Sequence, residues 1–156
     1  MKSYYGSEKT DNARQILVLD ASVVAKWILP GEPWEHQALK LKDKLVKGEI
    51  EVHEPMLLAY ELANLLLKAV KRKRIRLEDA ASALELLEKL GLKLHETSLK
   101  EAAYLLKKAK TLNLTAYDVA YIQLAEKLKA ILVSADQELC LKASNTVITK
   151  HLKFLN

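Results

Sequence analysis

Short unbroken apolar runs alternate along this chain with longer segments whose apolar residues recur at helical spacing. ILVL at residues 16–19 has the length and character of a strand covered on both faces, and AILVS at 130–134 repeats that character. EIEVH at 49–53 alternates like a strand, and GLKLHE and TVIT, the latter at 146–149, supply two more short ones. Between these runs the pattern predicts helices. One covers about 22–28 and stops before Pro30-Gly31; a second covers about 33–47, with Pro33 in its first turn and Gly48 just past its end. Pro55 opens a long helix through MLLAYELANLLLKAV that breaks up in KRKRIR, and another over 78–90 is closed by Gly91. Ser98 and Glu101 make a capping box for a helix over 99–110, Thr115 starts one that runs to Leu128, and a short one precedes the last strand. Strands separated by helices predict an α/β sandwich on a mainly parallel sheet.

Length refines this picture. At 156 residues the chain is expected to be one domain over 15–156 behind a polar tail, residues 1–14. A chain of this size buries roughly two-thirds of its unfolded surface and needs no disulfide or structural metal. The single cysteine, Cys140, cannot form an internal bridge, which fits a small core residue in a reducing, cytoplasmic setting. No apolar run approaches the roughly 20 residues of a membrane helix, and MKSYYGSEKTDNAR lacks the apolar core of a signal peptide. The net charge of +5 suits a polyanionic partner and equally suits simple solubility.

Carboxylates carry the candidate chemistry. In a parallel sheet, ligands bind beyond the carboxyl ends of the strands, and there Asp20 and Asp136 follow two of the predicted strands. Each could instead cap a helix; for Asp136, Ser134 and Gln137 already have capping-box spacing. Glu61 interrupts a helix that is apolar most of the way round, and it shares a face with Asn64 and Lys68 that reads as solvent-facing or cleft-facing. Asp118 stands three residues after Thr115, where the helix dipole favours an acid. Should all four converge, their repulsion demands a cation. An oxygen-only ligand set points to Mg²⁺ or Mn²⁺ and to attack of activated water on a phosphodiester.

VLDASVVAKWIL, EPMLLAYELANLLLKA, LTAYDVAYIQLA and ILVSADQEL resemble, in order and at compatible spacing, the four acidic motifs of PIN-domain ribonucleases, particularly the VapC type. The resemblance covers nearly the whole chain from about residue 15. It implies a three-layer α/β/α sandwich with a five-stranded parallel sheet, usually dimeric. It also implies metal binding and catalysis by Asp20, Glu61, Asp118 and Asp136, although the family's last acidic position varies in role. Ser22 and Ser134 become hydroxyl donors beside the carboxylates, with Ser134 standing where the family often has Thr, and Asn64 matches a frequent polar position. The implied activity is Mg²⁺- or Mn²⁺-dependent endoribonuclease, as the toxin of a pair with a cognate antitoxin protein. The alternatives are a housekeeping PIN nuclease of RNA processing and a silent PIN scaffold that binds RNA or protein; the complete acidic set argues against silence.

The basic run KAVKRKRIR, residues 68–76, offers Lys68, Lys71, Arg72, Lys73, Arg74 and Arg76 as RNA-phosphate contacts or as charge at a helix end and a solvated turn. Trp27 and Trp34 read as packing residues, and the four histidines have no zinc-ligand spacing. A dehalogenase-type phosphatase would need a second Asp where Ser22 stands, and four glycines leave no phosphate-cradling loop.

Overall fold

The computed structural model describes residues 13–156, so most of the polar tail expected at 1–14 lies outside the described residues. Among the described residues the chain forms five strands and seven α-helices: β1 (Gln15–Leu19), α1 (Ala21–Ala25), α2 (Glu35–Val46), β2 (Ile50–Pro55), α3 (Leu57–Lys71), α4 (Leu77–Glu88), β3 (Lys93–His95), α5 (Leu99–Leu112), α6 (Ala116–Leu128), β4 (Ile131–Ser134), α7 (Gln137–Ala143) and β5 (Thr149–His151), with a 3-10 turn at Leu152–Phe154. The strands lie in the order β3-β2-β1-β4-β5, and every pairing is parallel.

Side-chain alternation divides the core into two layers. Leu17, Leu19, Ile50, Val52 and Val133 point to the face covered by α1, α2 and α3. Val18 and Leu132 point to the opposite face, against Tyr121, Ile122 and Ala125 of α6 and Leu139 of α7. Leu105 and Ala109 of α5 pack on Val119 of α6, outside that layer. The result is the three-layer sandwich. Trp27 is buried and its indole N–H donates to the Ala38 carbonyl at 2.8 Å, whereas Trp34 stays 37% exposed with its ring edge-on to His151. No helix among the described residues is long and apolar enough to cross a membrane.

Several boundaries move: α1 stops at Ala25 rather than 28, and α2 starts at Glu35, so Pro33 precedes the helix instead of lying in its first turn. The last strand is Thr149–His151 rather than 146–149, because Val147 packs into the layer under α6 and α7 while Ile148 stays exposed. The second strand continues to Pro55, so the long helix begins at Leu57. Gly48 and Gly91 do follow α2 and α4, with φ of 71° and 83° that a side chain would oppose.

The chain leaves β1 outward through β2 and β3, then crosses to β4 and β5 on the other side. The carboxyl ends of β1 and β4 therefore form the switch point where such sheets leave a crevice.

Candidate metal centre and its cleft

A cleft of about 600 Å³ opens at that switch point, and Asp20, Glu61, Asp118 and Asp136 all line it. Asp20 leaves β1 directly, its N–H donating to Val133 across the seam at 3.1 Å. It caps α1 by accepting from Val23 N–H at 3.3 Å, and it accepts hydroxyl hydrogen bonds from Ser22 and Ser134. Burial raises its pKa and the nearby Asp136 charge adds to that, while the Ser134, Ser22 and Val23 donors oppose the rise. Glu61, midway along α3, is half-buried and accepts the Tyr121 hydroxyl at 3.1 Å. Its pKa too is raised, first by burial and then by Asp20 and Asp118, against the Tyr121 bond.

Asp118 lies in the first turn of α6, where its N–H donates to Thr115 Oγ1 at 3.1 Å. Burial, then Asp136 and Glu138, raise its pKa, with the Thr115 bonds opposing. Asp136 caps α7 by accepting from Leu139 N–H at 3.2 Å. The Ser134–Gln137 capping box is thus not formed: the Ser134 hydroxyl is turned to Asp20 and accepts from Asp136 N–H at 2.9 Å. Ser22 and Asn64 both line the cleft, and fully buried Ser134 sits under it.

The donor set suits a hard cation. All four candidate ligands are carboxylates, Asp20, Glu61 and Asp118 are each raised first by burial and further by the charge of another of the four, and none of the four makes a salt bridge among the described residues. As they stand, no three His, Cys, Asp or Glu side chains among the described residues meet at a point suited to an ion.

The basic run splits. Arg72 and Arg74 line the cleft, with Arg74 paired to Glu32 at 2.7 Å. Arg76 is taken by Asp79 at 2.8 Å; Lys73 borders a neighbouring depression, and Lys71 is exposed outside the cleft.

Residues 17–144 match the family model for the PIN domain. The chain belongs to the PIN domain family. It is 36% identical over 130 residues to Ribonuclease VapC3 of Pyrobaculum aerophilum, covering 81% of this chain and 93% of that one. Among solved structures, PAE2754 of Pyrobaculum aerophilum superposes with a TM-score of 0.61 at 28% identity, over 91% of this chain and 93% of that one. FitAcB of Neisseria gonorrhoeae has the same fold, with a TM-score of 0.57 at 17% identity over 89% of this chain and 99% of that one.

Three residues of this PIN domain escaped the sequence reading. Tyr121, one turn after Asp118 on α6, holds Glu61. Lys26, in the first motif, lines the cleft although it is only 7% exposed. Glu54, at the end of β2, is fully buried: its Oε1 accepts from Leu19 N–H at 2.9 Å, and its Oε2 has no partner. Burial, then Asp20 and Glu61, push its pKa well up, with the Leu19 bond opposing. The parity of Ile50, Val52 and Glu54 was the available signal, since it places the acid on a buried face. The histidines also meet unannounced: His53 Nδ1 lies 2.8 Å from His95 Nε2 across β2 and β3, while His53 Nε2 lies 3.0 Å from Glu51. Buried Cys140 fits its expected role, its thiol pushed up to about 11 by burial.

Proposed function

We propose that this PIN domain is an endoribonuclease that hydrolyses RNA phosphodiester bonds with Mg²⁺ or Mn²⁺, and that it is the toxin of a toxin–antitoxin pair. Asp20, Glu61, Asp118 and Asp136 are the metal-binding and catalytic carboxylates on this reading. The observation that carries it is their presence on one cleft at the β1–β4 switch point, without a cationic partner among the described residues. Likeness to a protein named a ribonuclease, over 93% of its length, supports RNA as the substrate.

A bound ion would lower the pKa of a coordinated water and stabilise charge developing on the phosphate. The chain's own part is presentation. Asp20 is held by Ser22, Ser134 and the start of α1, so it needs little reorganisation. Tyr121 steadies Glu61, and the first turns of α6 and α7 hold Asp118 and Asp136. The carboxylates do not meet at one point as they stand, so Asp20, Glu61, Asp118 and Asp136 would hold an ion with side-chain rotation or intervening water. Attack of water in line would form one P–O bond and break the bond to the leaving ribose oxygen, which ends protonated while the attacking water gives up a proton. Ser22 and Ser134 orient Asp20, and Asn64 meets the substrate at the cleft wall. Of the basic run, Arg72 is the member best placed to touch RNA; Lys71, Lys73, Arg74 and Arg76 contribute charge around it. A cognate antitoxin and a second copy of the chain are the protein partners expected.

The test is cleavage of a labelled mixed-sequence RNA pool with Mn²⁺. EDTA should abolish cutting, and Asp118→Asn should slow it by roughly 100-fold or more. Cutting that survives both treatments would overturn the metal reading. A gene for a small DNA-binding protein immediately upstream separates the toxin from a housekeeping nuclease.

A further inference from the structure

The cleft is chemically mixed. Besides the four carboxylates it is lined by Lys26, Lys68, Arg72 and Arg74. Arg74 is neutralised by Glu32, but Lys26, Lys68 and Arg72 have no salt bridge or side-chain hydrogen bond among the described residues.

Lys26 is the unusual member. Lysine is almost never this buried unless paired. Here the C-cap of α1 fixes its backbone, surrounding residues leave it 7% exposed, and it lines the cleft without a counter-ion. An ammonium group held this far from water without a counter-ion is a ready seat for an anionic group of a ligand. The carboxylates of the cleft do not pair with it. Lys68 follows Glu61 by two helical turns on α3, about 10 Å along the axis, which sets it apart from that carboxylate.

We propose that Lys26, together with Lys68 and Arg72, forms a phosphate subsite that holds the backbone of single-stranded RNA beside the scissile bond. The subsite rests on the reading of the four carboxylates as the hydrolytic centre. It replaces a diffuse basic run with a defined set, one of whose members, Lys26, lies outside that run. Phosphate contacts of this kind fix the register of the strand without reading its sequence.

Binding tests this apart from cleavage. The full chain carrying Asp118→Asn is titrated with a fluorescein-labelled, mixed-sequence RNA octamer in Mn²⁺ over a range of salt concentrations. Adding Lys26→Gln should weaken binding about tenfold and flatten the log–log salt dependence by about 0.7, the value of one phosphate contact to a single strand. Lys26→Arg should restore most of both, and Lys89→Gln, exposed at the end of α4 and outside the cleft, should change neither. If Lys26→Gln fails to fold, the exposed pair Lys68→Gln and Arg72→Gln carries the test, with a slope change of about 1.4. Unchanged affinity and slope in the cleft variants, an equal loss in Lys89→Gln, or no octamer binding at low salt would each overturn the subsite. Salt-dependent binding through Lys26 in a chain that never cuts RNA would leave the subsite standing and remove the hydrolytic reading instead.

Discussion

Two seams of the same sheet end in buried acids, and they treat them in opposite ways. At the β1–β4 seam, Asp20 is 7% exposed yet receives two hydroxyls and a backbone N–H, and it opens on the cleft. At the β1–β2 seam, Glu54 is sealed, receives one N–H and keeps an oxygen without a partner. Burial raises both acids, but only Asp20 has donors enough, and solvent near enough, to carry charge when a cation arrives. Burial alone therefore does not mark a working carboxylate; its donors and its outlook do. Beyond Glu54 the same side of the sheet closes on itself through His53, His95 and Glu51.

The sharpest way to break this contrast is at Asp20. Asp20→Ala should cut RNA cleavage by roughly 10³-fold while leaving the fold intact by circular dichroism, since the removed acid faces a cleft. Ser134→Ala probes the same seam through Asp20's donor and should cost about 10–100-fold in Mn²⁺ affinity, read by titration calorimetry. The opposite seam responds in stability rather than activity. Glu54→Ala orphans the buried Leu19 N–H and should lower stability by about 1–3 kcal/mol in denaturant titration.

Glu54→Gln gives the smallest effect and carries a sign. The folded chain holds the Glu54 proton after the unfolded chain has lost it. The stabilisation this brings is complete below the ordinary glutamate range and fades as pH rises through the folded value. Glutamine keeps an acceptor and never ionises. In EDTA, the melting temperature of Glu54→Gln relative to wild type should therefore climb from acid to neutral pH. A flat or falling difference would mean that Glu54 is charged in the folded chain.

The same two seams explain what the sequence revealed. Asp20 was legible because an acid directly after ILVL has one place to go in a parallel sheet. Glu54 was not, since only strand parity distinguishes it from Glu49 and Glu51, and the neighbouring Pro55 reads as a helix start. The basic run was visible as charge, but its pairing was hidden: Arg74 finds Glu32 far away in the chain, and Arg76 finds Asp79 three residues on. Lys26 looked like an ordinary polar position in a short helix until the burial around it was known. The last strand was misplaced because Val147 and Ile148 look alike in sequence while one serves the helical layer and the other faces water.

The hydrogen bond from Ser134 to Asp20 joins residues 114 positions apart, and β1 stays half-paired until β4 exists. On the ribosome, then, the first 130 residues present a central strand with an open edge and an unfinished cleft. A nascent or prematurely terminated chain lacks Asp136 and the wall that positions Asp20, so the proposed nuclease is born harmless to the RNA beside it. Cutting would begin only once β4 and Asp136 have joined the sheet and the cleft.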